Sequence, residues 1–228
     1  QLEMGSKNAL VILDDADLDT AVPVAVVSRF GNGGQTCIAA KRFILTPGIA
    51  DAFVARFMAA AAALKSGDPN DDAISLAPMV RPDAREELQR QVDASIAAGA
   101  KLLIGGRKGE GPCEYPATIL DAVKPGMAAY SEELFGPVAS IIRADSMEDA
   151  IHIANDTDFG LGASVWTGDK AQGEAVARRI QAGAVFVNAL VRSDVRLPFG
   201  GTKTSGFGRE LAEHGIHEFM NIKTVYVD

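Results

Sequence analysis

Cys37 is the residue in this sequence best placed to do chemistry. It lies in Phe30-Gly31-Asn32-Gly33-Gly34-Gln35-Thr36-Cys37, a lone thiol after a glycine-rich loop and before an apolar run. A free thiol titrates near pH ~8.5 and needs a base or a polar cradle to act as a nucleophile near neutrality. A glycine loop brings backbone amides close to a substrate, and the amide of Cys37 can donate to an oxyanion forming on a carbonyl that the sulfur attacks. Most free cysteines are small buried core residues. Three glycines flanked by Asn32 and Gln35 argue against that here, because a core position has no use for them. The other cysteine, Cys113, sits between Pro112 and Glu114 in a polar loop and reads as structural.

A thiol hydrolase would pair its cysteine with a histidine. The three histidines, His152, His214 and His217, fall in a helical pattern and in the C-terminal segment, and none stands out as a partner. No Cys/His set has the spacing of a zinc site, so no metal is expected. The net charge of −8 argues against nucleic acid as a partner, since binding it needs clustered positive charge. The longest apolar stretch, Ile49 to Leu64, is interrupted by Asp51 and Arg56, so no membrane partner is expected either. Two unpaired cysteines fit a reducing, cytoplasmic setting.

Short apolar runs alternating with helical patterns must position the thiol, and they predict an α/β fold with a mostly parallel sheet and helices on both faces. Strands are expected at Ala9–Leu13, Arg42–Leu45, Lys101–Ile104, Val138–Arg143, Ala163–Thr167 and Ala184–Val187. Helices are expected at Leu18–Phe30, Ala50–Lys65 and Asp83–Ala98, with two more beginning near Ser146 and Asp169. Ser146 followed by Asp149 resembles a capping box. The segment Arg107–Tyr115 reads as an exposed loop. Asn221–Val227 alternates like a strand able to add to a neighbouring sheet. The chain opens on Gln1 rather than Met, directly onto a dense motif, and reads as a piece of a longer protein.

Glu3 in Leu2-Glu3-Met4-Gly5-Ser6-Lys7-Asn8, followed 34 residues later by Cys37 in an Asn-x-Gly-Gln-x-Cys setting, resembles the paired motifs of the aldehyde dehydrogenase superfamily. Glu132-Glu133-Leu134-Phe135-Gly136-Pro137-Val138 is similar to that family's cofactor-contact motif, and Pro198-Phe199-Gly200-Gly201 through Glu210 to its C-terminal signature. The four motifs occur in the family's order over nearly the whole chain.

The resemblance implies a catalytic domain over residues 1–210, a C-terminal segment 211–228 carrying an oligomerisation strand, and a cofactor-binding domain lying largely upstream of Gln1. It implies NAD or NADP as cofactor, a small aldehyde as substrate and a homodimer or homotetramer. Cys37 becomes the nucleophile and Glu3 the general base that hydrolyses a thioester. Glu133 binds the nicotinamide ribose, Phe135 lies against the nicotinamide region, Gly5 leaves room for the ring and Phe199 lines the aldehyde tunnel. Thr36 and Ile38, flanking the thiol, join the substrate contacts. The second family glycine after Glu3 is Ser6 here, a departure that adds a side chain near the nicotinamide.

Within the superfamily, Gln35 to Ile44 and Ser193-Asp194-Val195-Arg196 look most like bacterial succinate-semialdehyde dehydrogenases. A carboxylate-bearing substrate needs a cation or several donors at the far end of its pocket. Arg192, Ser193 and Arg196 occupy the loop that should reach it, with Ser193 the better pocket candidate. Some such enzymes carry an arginine six residues before the nucleophile, where this chain has Gly31. Two other readings remain: an assembly module without dehydrogenase activity, and a fragment with residual thiol esterase chemistry.

Overall fold

The computed structural model describes residues 1–228. In chain order the elements are β1 (Leu2–Glu3), β2 (Ala9–Ile12), α1 (Leu18–Phe30), a 3-10 turn at Gly31–Gly34, β3 (Arg42–Leu45), α2 (Ala50–Ala62), α3 (Pro82–Ala97), β4 (Lys101–Ile104) and β5 (Thr118–Asp121). There follow α4 (Ala128–Ser131), β6 (Val138–Arg143), α5 (Met147–Asn155), β7 (Phe159–Gly160), β8 (Gly162–Trp166), α6 (Lys170–Ala177), β9 (Ala184–Val187), β10 (Thr202–Lys203), β11 (Gly206–Phe207) and α7 (Ala212–His217).

The principal sheet has seven strands in the order β4-β5-β6-β3-β2-β8-β9. All its pairings are parallel except that of β4, which runs antiparallel to β5 at one edge. Each central strand is apolar on both faces, as a sheet covered on both sides requires. Along β2 the period of two divides the side chains between two cores. Ala9 and Val11 join Leu88 and Val92 of α3 and Ala150 and Ile151 of α5. Leu10 and Ile12 join Ala21 and Ala25 of α1 and Phe53 and Phe57 of α2. The second core is centred on stacked rings: Phe43 lies 4.8 Å from Phe57, and Phe53 lies 5.3 Å from it. Burying each such ring contributes about 2 to 3 kcal/mol.

Helix starts follow local chemistry. Asp17 caps α1 by accepting from the amide of Asp19, Ser146 caps α5 by accepting from Asp149, and Asp169 caps α6 by accepting from Ala171 and Gln172. Asp149 reaches back to the amide of Asp145, one residue further than an ideal capping box.

One expected strand is absent. Residues 221–228 carry no secondary structure and are exposed throughout. A lone strand leaves its backbone groups unpaired, and within the single chain this segment pairs with neither edge strand of the principal sheet, β4 or β9. The 211–228 segment therefore contributes α7 and an extended, apolar tail, with Phe219 and Ile222 more than nine-tenths exposed.

Candidate active site

Parallel pairing of β6, β3 and β2 as neighbours brings the three segments that precede them to one end of the sheet. These are Glu3–Asn8 before β2, Thr36–Lys41 before β3 and Glu133–Pro137 before β6. The usual crevice of a doubly wound sheet lies at the opposite, carboxyl ends of the strands. Here the chemistry-bearing motifs gather at the amino ends.

The turn before Cys37 needs its glycines. Asn32, Gly33 and Gly34 all have positive φ. A Cβ on Gly34 would collide with the Arg29 guanidinium and the carbonyl of Gly136. Arg29, wholly buried at the end of α1, donates to the carbonyls of Gly34 and Gly136 at 2.6 Å each and of Ala40 at 3.0 Å. It thus ties both flanks of the Cys37 loop to the Glu133–Pro137 segment. Burial pushes its guanidinium down to about 9, opposed by the nearby charge of Glu133.

The thiol-bearing residue is held through its carbonyl. The Ser6 hydroxyl donates to the Cys37 carbonyl, and the Lys41 ammonium donates to it at 3.0 Å and to that of Thr36 at 3.1 Å. Asn8 donates from its amide to the Ile38 carbonyl at 3.1 Å, while its carbonyl oxygen accepts from the amide of Gly162 at the start of β8. The amide of Cys37 has no acceptor within the chain, so it points a free donor beside the sulfur. Cys37, Thr36 and Ile38 are half-buried.

Lys41 also pairs with Glu133, its ammonium 3.1 Å from Oε1, and stands 5.7 Å from the centre of the Phe135 ring. Its side chain is only 3% exposed. Burial and the neighbouring Arg29 push it down to about 8, against the opposing pull of Glu133. The same Glu133 oxygen accepts from the Ser6 amide at 3.1 Å. Gly5, at φ +93°, leaves the space this carboxylate fills: a Cβ there would stand 2.6 Å from Glu133 Oε2. Phe135 is exposed, its ring forming part of the surface above Lys41.

Glu3 lies on β1, which pairs antiparallel with β11, matching Leu2 with Phe207 and Glu3 with Gly206. This pairing seats the first motif against the C-terminal signature. Glu3 forms no hydrogen bond to the Cys37 loop. Its Oε1 accepts from Gln1 at 2.7 Å, and its carboxyl interacts with Glu210. Partial burial, with Glu210 adding like charge and a hydrogen bond, holds its carboxyl above the usual range. Glu3 and Glu210 border an open cleft of about 770 Å³, closed on the far side by Ile216 and Phe219.

Phe199 is buried and pairs through its backbone with Glu210, at 2.8 and 2.7 Å, which links it to the Glu3 cleft. It also borders a separate cavity of about 400 Å³ with Arg192 and Asp194. Arg196 is drawn to Asp194 by two side-chain contacts of 2.9 and 2.7 Å, which leaves Arg192 as the arginine facing that cavity. Ser193 is exposed and makes no hydrogen bond.

The structure therefore gathers Gly5, Thr36, Cys37, Ile38, Glu133 and Phe135 at one centre. It joins Glu3 to Phe199 through Glu210 and Gln1, and leaves Ser193 exposed in the loop between Arg192 and Asp194, which border the cavity beside Phe199. Sequence reasoning missed Lys41 and Arg29. The signal was partial: Arg29 follows Ser28 at the end of a largely apolar helix, Lys41 and Arg42 are adjacent cations between apolar residues, and a buried cation must find partners.

Residues 1–225 match the aldehyde dehydrogenase family. The chain is 52% identical over 228 residues to the NAD(P)+ succinate semialdehyde dehydrogenase of Escherichia coli K12, covering all of this chain and 49% of that protein. It is 48% identical over 227 residues to an NADP(+) succinate-semialdehyde dehydrogenase of Mycobacterium ulcerans, covering 99% of this chain and 50% of that one. Among solved structures, succinate-semialdehyde dehydrogenase from Burkholderia pseudomallei superposes with a TM-score of 0.93 at 36% identity, over 96% of this chain and 46% of that one. Lactaldehyde dehydrogenase from Escherichia coli superposes at 0.95 and 33% identity, over 99% and 48%. The chain spans about half the length of the curated relatives it matches. No helix is long and apolar enough to cross a membrane. In sequence along almost its whole length and in the order and pairing of its strands, the chain belongs to the aldehyde dehydrogenase family.

Proposed function

We propose that the whole protein oxidises a small aldehyde, succinate semialdehyde, to its carboxylic acid, with Cys37 as nucleophile. The observation that carries this reading is the unpaired amide of Cys37, a free donor beside a thiol in a half-buried loop. The Cys37 sulfur attacks the aldehyde carbon, and the carbonyl oxygen becomes an oxyanion stabilised by that amide. NAD or NADP bound here would supply the acceptor for the hydride of the same carbon. Glu133 and the exposed ring of Phe135 are the groups on this chain that would hold it, and the opening left at Gly5 gives the Glu133 carboxylate room to turn.

The resulting thioester on Cys37 is hydrolysed by water. Glu3 takes the proton from that water, the carbon–sulfur bond breaks, and the thiolate is regenerated. A carboxyl held above its usual range is the stronger base for this step, and Glu3 is so held. Thr36 and Ile38 flank the sulfur, and Phe199, in the cavity it shares with Arg192, is the apolar side chain offered to the body of the substrate. Ser193 and Arg192 receive the far carboxylate of the substrate, as the names of the relatives suggest. Replacing Cys37 by alanine in the full-length protein and following NAD(P)H absorbance tests the reading. Turnover should vanish, and undiminished turnover refutes it.

A second reading is an assembly module, favoured by the run of exposed apolar side chains at Phe219, Ile222, Val225 and Tyr226. Such a tail could pair with a sister chain in a homodimer or homotetramer. Incubating the 228-residue chain with an activated ester separates this from residual esterase chemistry. Label on Cys37 supports the thiol reading; a folded chain with no label supports the module.

A further inference from the structure

The Cys37 loop and Glu133 share one ammonium. Lys41 reaches Glu133 Oε1 at 3.1 Å on one side and the carbonyls of Cys37 and Thr36 at 3.0 and 3.1 Å on the other, and it is almost wholly removed from solvent. Arg29 on α1, the other buried cation meeting Lys41, has no carboxylate within salt-bridge distance and is occupied by three carbonyls. The Cys37 thiol is the remaining titratable neighbour of Lys41. Glu133 is therefore the one negative charge that balances this group, and it reaches in from a different loop.

We propose that Lys41 is a positioning residue for the nucleophile, and that Glu133 sets how much of its charge Cys37 feels. With Glu133 turned inward, Lys41 orients the loop through the two carbonyls while its charge is largely cancelled. With Glu133 drawn outward, the same ammonium stands uncompensated beside the thiol and favours the thiolate. This rests on Cys37 being the nucleophile, and it gives Lys41 a role that the family motif around Cys37 does not require.

The test reads the thiol directly, without cofactor or turnover. Iodoacetamide alkylation of Cys37, located by peptide mass, is followed across pH in the full-length protein for the wild type, Lys41→Met, Lys41→Arg and Glu133→Gln. The ammonium lies 3.0 Å from the carbonyl of the residue that bears the thiol, and an uncompensated charge near a thiol moves its midpoint by about one pH unit, down for a cation and up for an anion. Glu133→Gln should move the midpoint down, giving roughly tenfold faster alkylation on the acid limb. Lys41→Met should move it up by a similar amount, and Lys41→Arg should restore the wild-type position.

Loosening of the loop alone would move both variants in one direction. Midpoints that shift together, or that stay within twofold of the wild-type rate, overturn the proposal. Should Lys41→Met not fold, Glu133→Gln keeps hydrogen-bond acceptors for Ser6 and Lys41 and decides the question alone: an unmoved or raised midpoint overturns it. Failure of the underlying reading is distinct, since it shows as a Cys37→Ser enzyme that still turns over.

Discussion

Replacing Arg29 by methionine tests whether the candidate site is held by one buried cation. The substitution keeps the apolar stem and removes three hydrogen bonds, to Gly34 and Gly136 at 2.6 Å and to Ala40 at 3.0 Å. None of these carbonyls can turn to solvent without moving the loop, because Arg29 itself is fully buried and the backbone around it is packed. The Gly136 carbonyl keeps the amide of Val138 at 2.7 Å, so two carbonyls, those of Gly34 and Ala40, are left without a partner, and at about 1 to 3 kcal/mol each they cost about 2 to 6 kcal/mol together. Removing a buried cation with no close carboxylate relieves desolvation, on the order of 2 kcal/mol. The net loss is therefore about 2 kcal/mol. With a urea slope of about 2 to 3 kcal/mol per molar, the unfolding midpoint should fall by about 0.7 to 1 M. Lysine at this position can reach one or two of the carbonyls and should lose roughly half as much. A Met variant within about 0.5 kcal/mol of the wild type would refute the reasoning, because it would mean the three carbonyls do not depend on Arg29.

Gly5→Ala places a Cβ 2.6 Å from Glu133 Oε2 at a φ of +93°, whereas at Gly31 an added Cβ meets nothing within 4 Å. Chemical denaturation should show Gly5→Ala destabilised by about 2 kcal/mol, and Gly31→Ala unchanged or stabilised by up to about 1 kcal/mol; equal effects would contradict the geometry. Ser6→Gly removes the hydroxyl that donates to the Cys37 carbonyl, and since Lys41 still serves that carbonyl the same measurement should show only about 1 to 2 kcal/mol of loss, part of it from the added backbone freedom. Glu3 is held above the ordinary carboxylate range first by burial and then by Glu210, so its basic form is lost on acidification at a higher pH than an isolated carboxylate would be. Glu210→Gln removes the like charge, and the acid limb of the hydrolytic pH–rate profile should move to lower pH; a limb that moves up or stays in place would show that Glu210 does not act on Glu3.

The helices and central strands were legible because each obeys a local rule that tertiary packing did not override. Ser146 and Asp169 cap helices where the sequence placed them, Asp17 caps α1 directly before the expected start at Leu18, and the apolar runs at Arg42–Leu45, Val138–Arg143 and Ala184–Val187 became strands with those bounds. What local rules could not show was pairing. The strand Thr118–Asp121 went unread because Thr118 and Asp121 flank only two apolar residues, and its place is fixed by β4 and β6 on either side. The tail at 221–227 alternates like a strand but carries no secondary structure in the single chain, because a strand exists only where another edge accepts it.

Ser6 shows the same limit inside the site. As a departure from a family glycine it suggested an obstacle near the nicotinamide. In the fold its side chain is fully buried, with its hydroxyl on the Cys37 carbonyl and its amide on Glu133. The neighbouring Gly5 keeps the space, and that space holds the Glu133 carboxylate. Ser6 and Lys41 thus converge on one carbonyl and one carboxylate, the hydroxyl standing 3.4 Å from the ammonium. A glycine at position 6 would leave Lys41 as the only side chain on the Cys37 carbonyl. The serine and the lysine are therefore best understood as one device, whose parts lie 35 residues apart in sequence and meet only because β2 and β3 run side by side in the same direction.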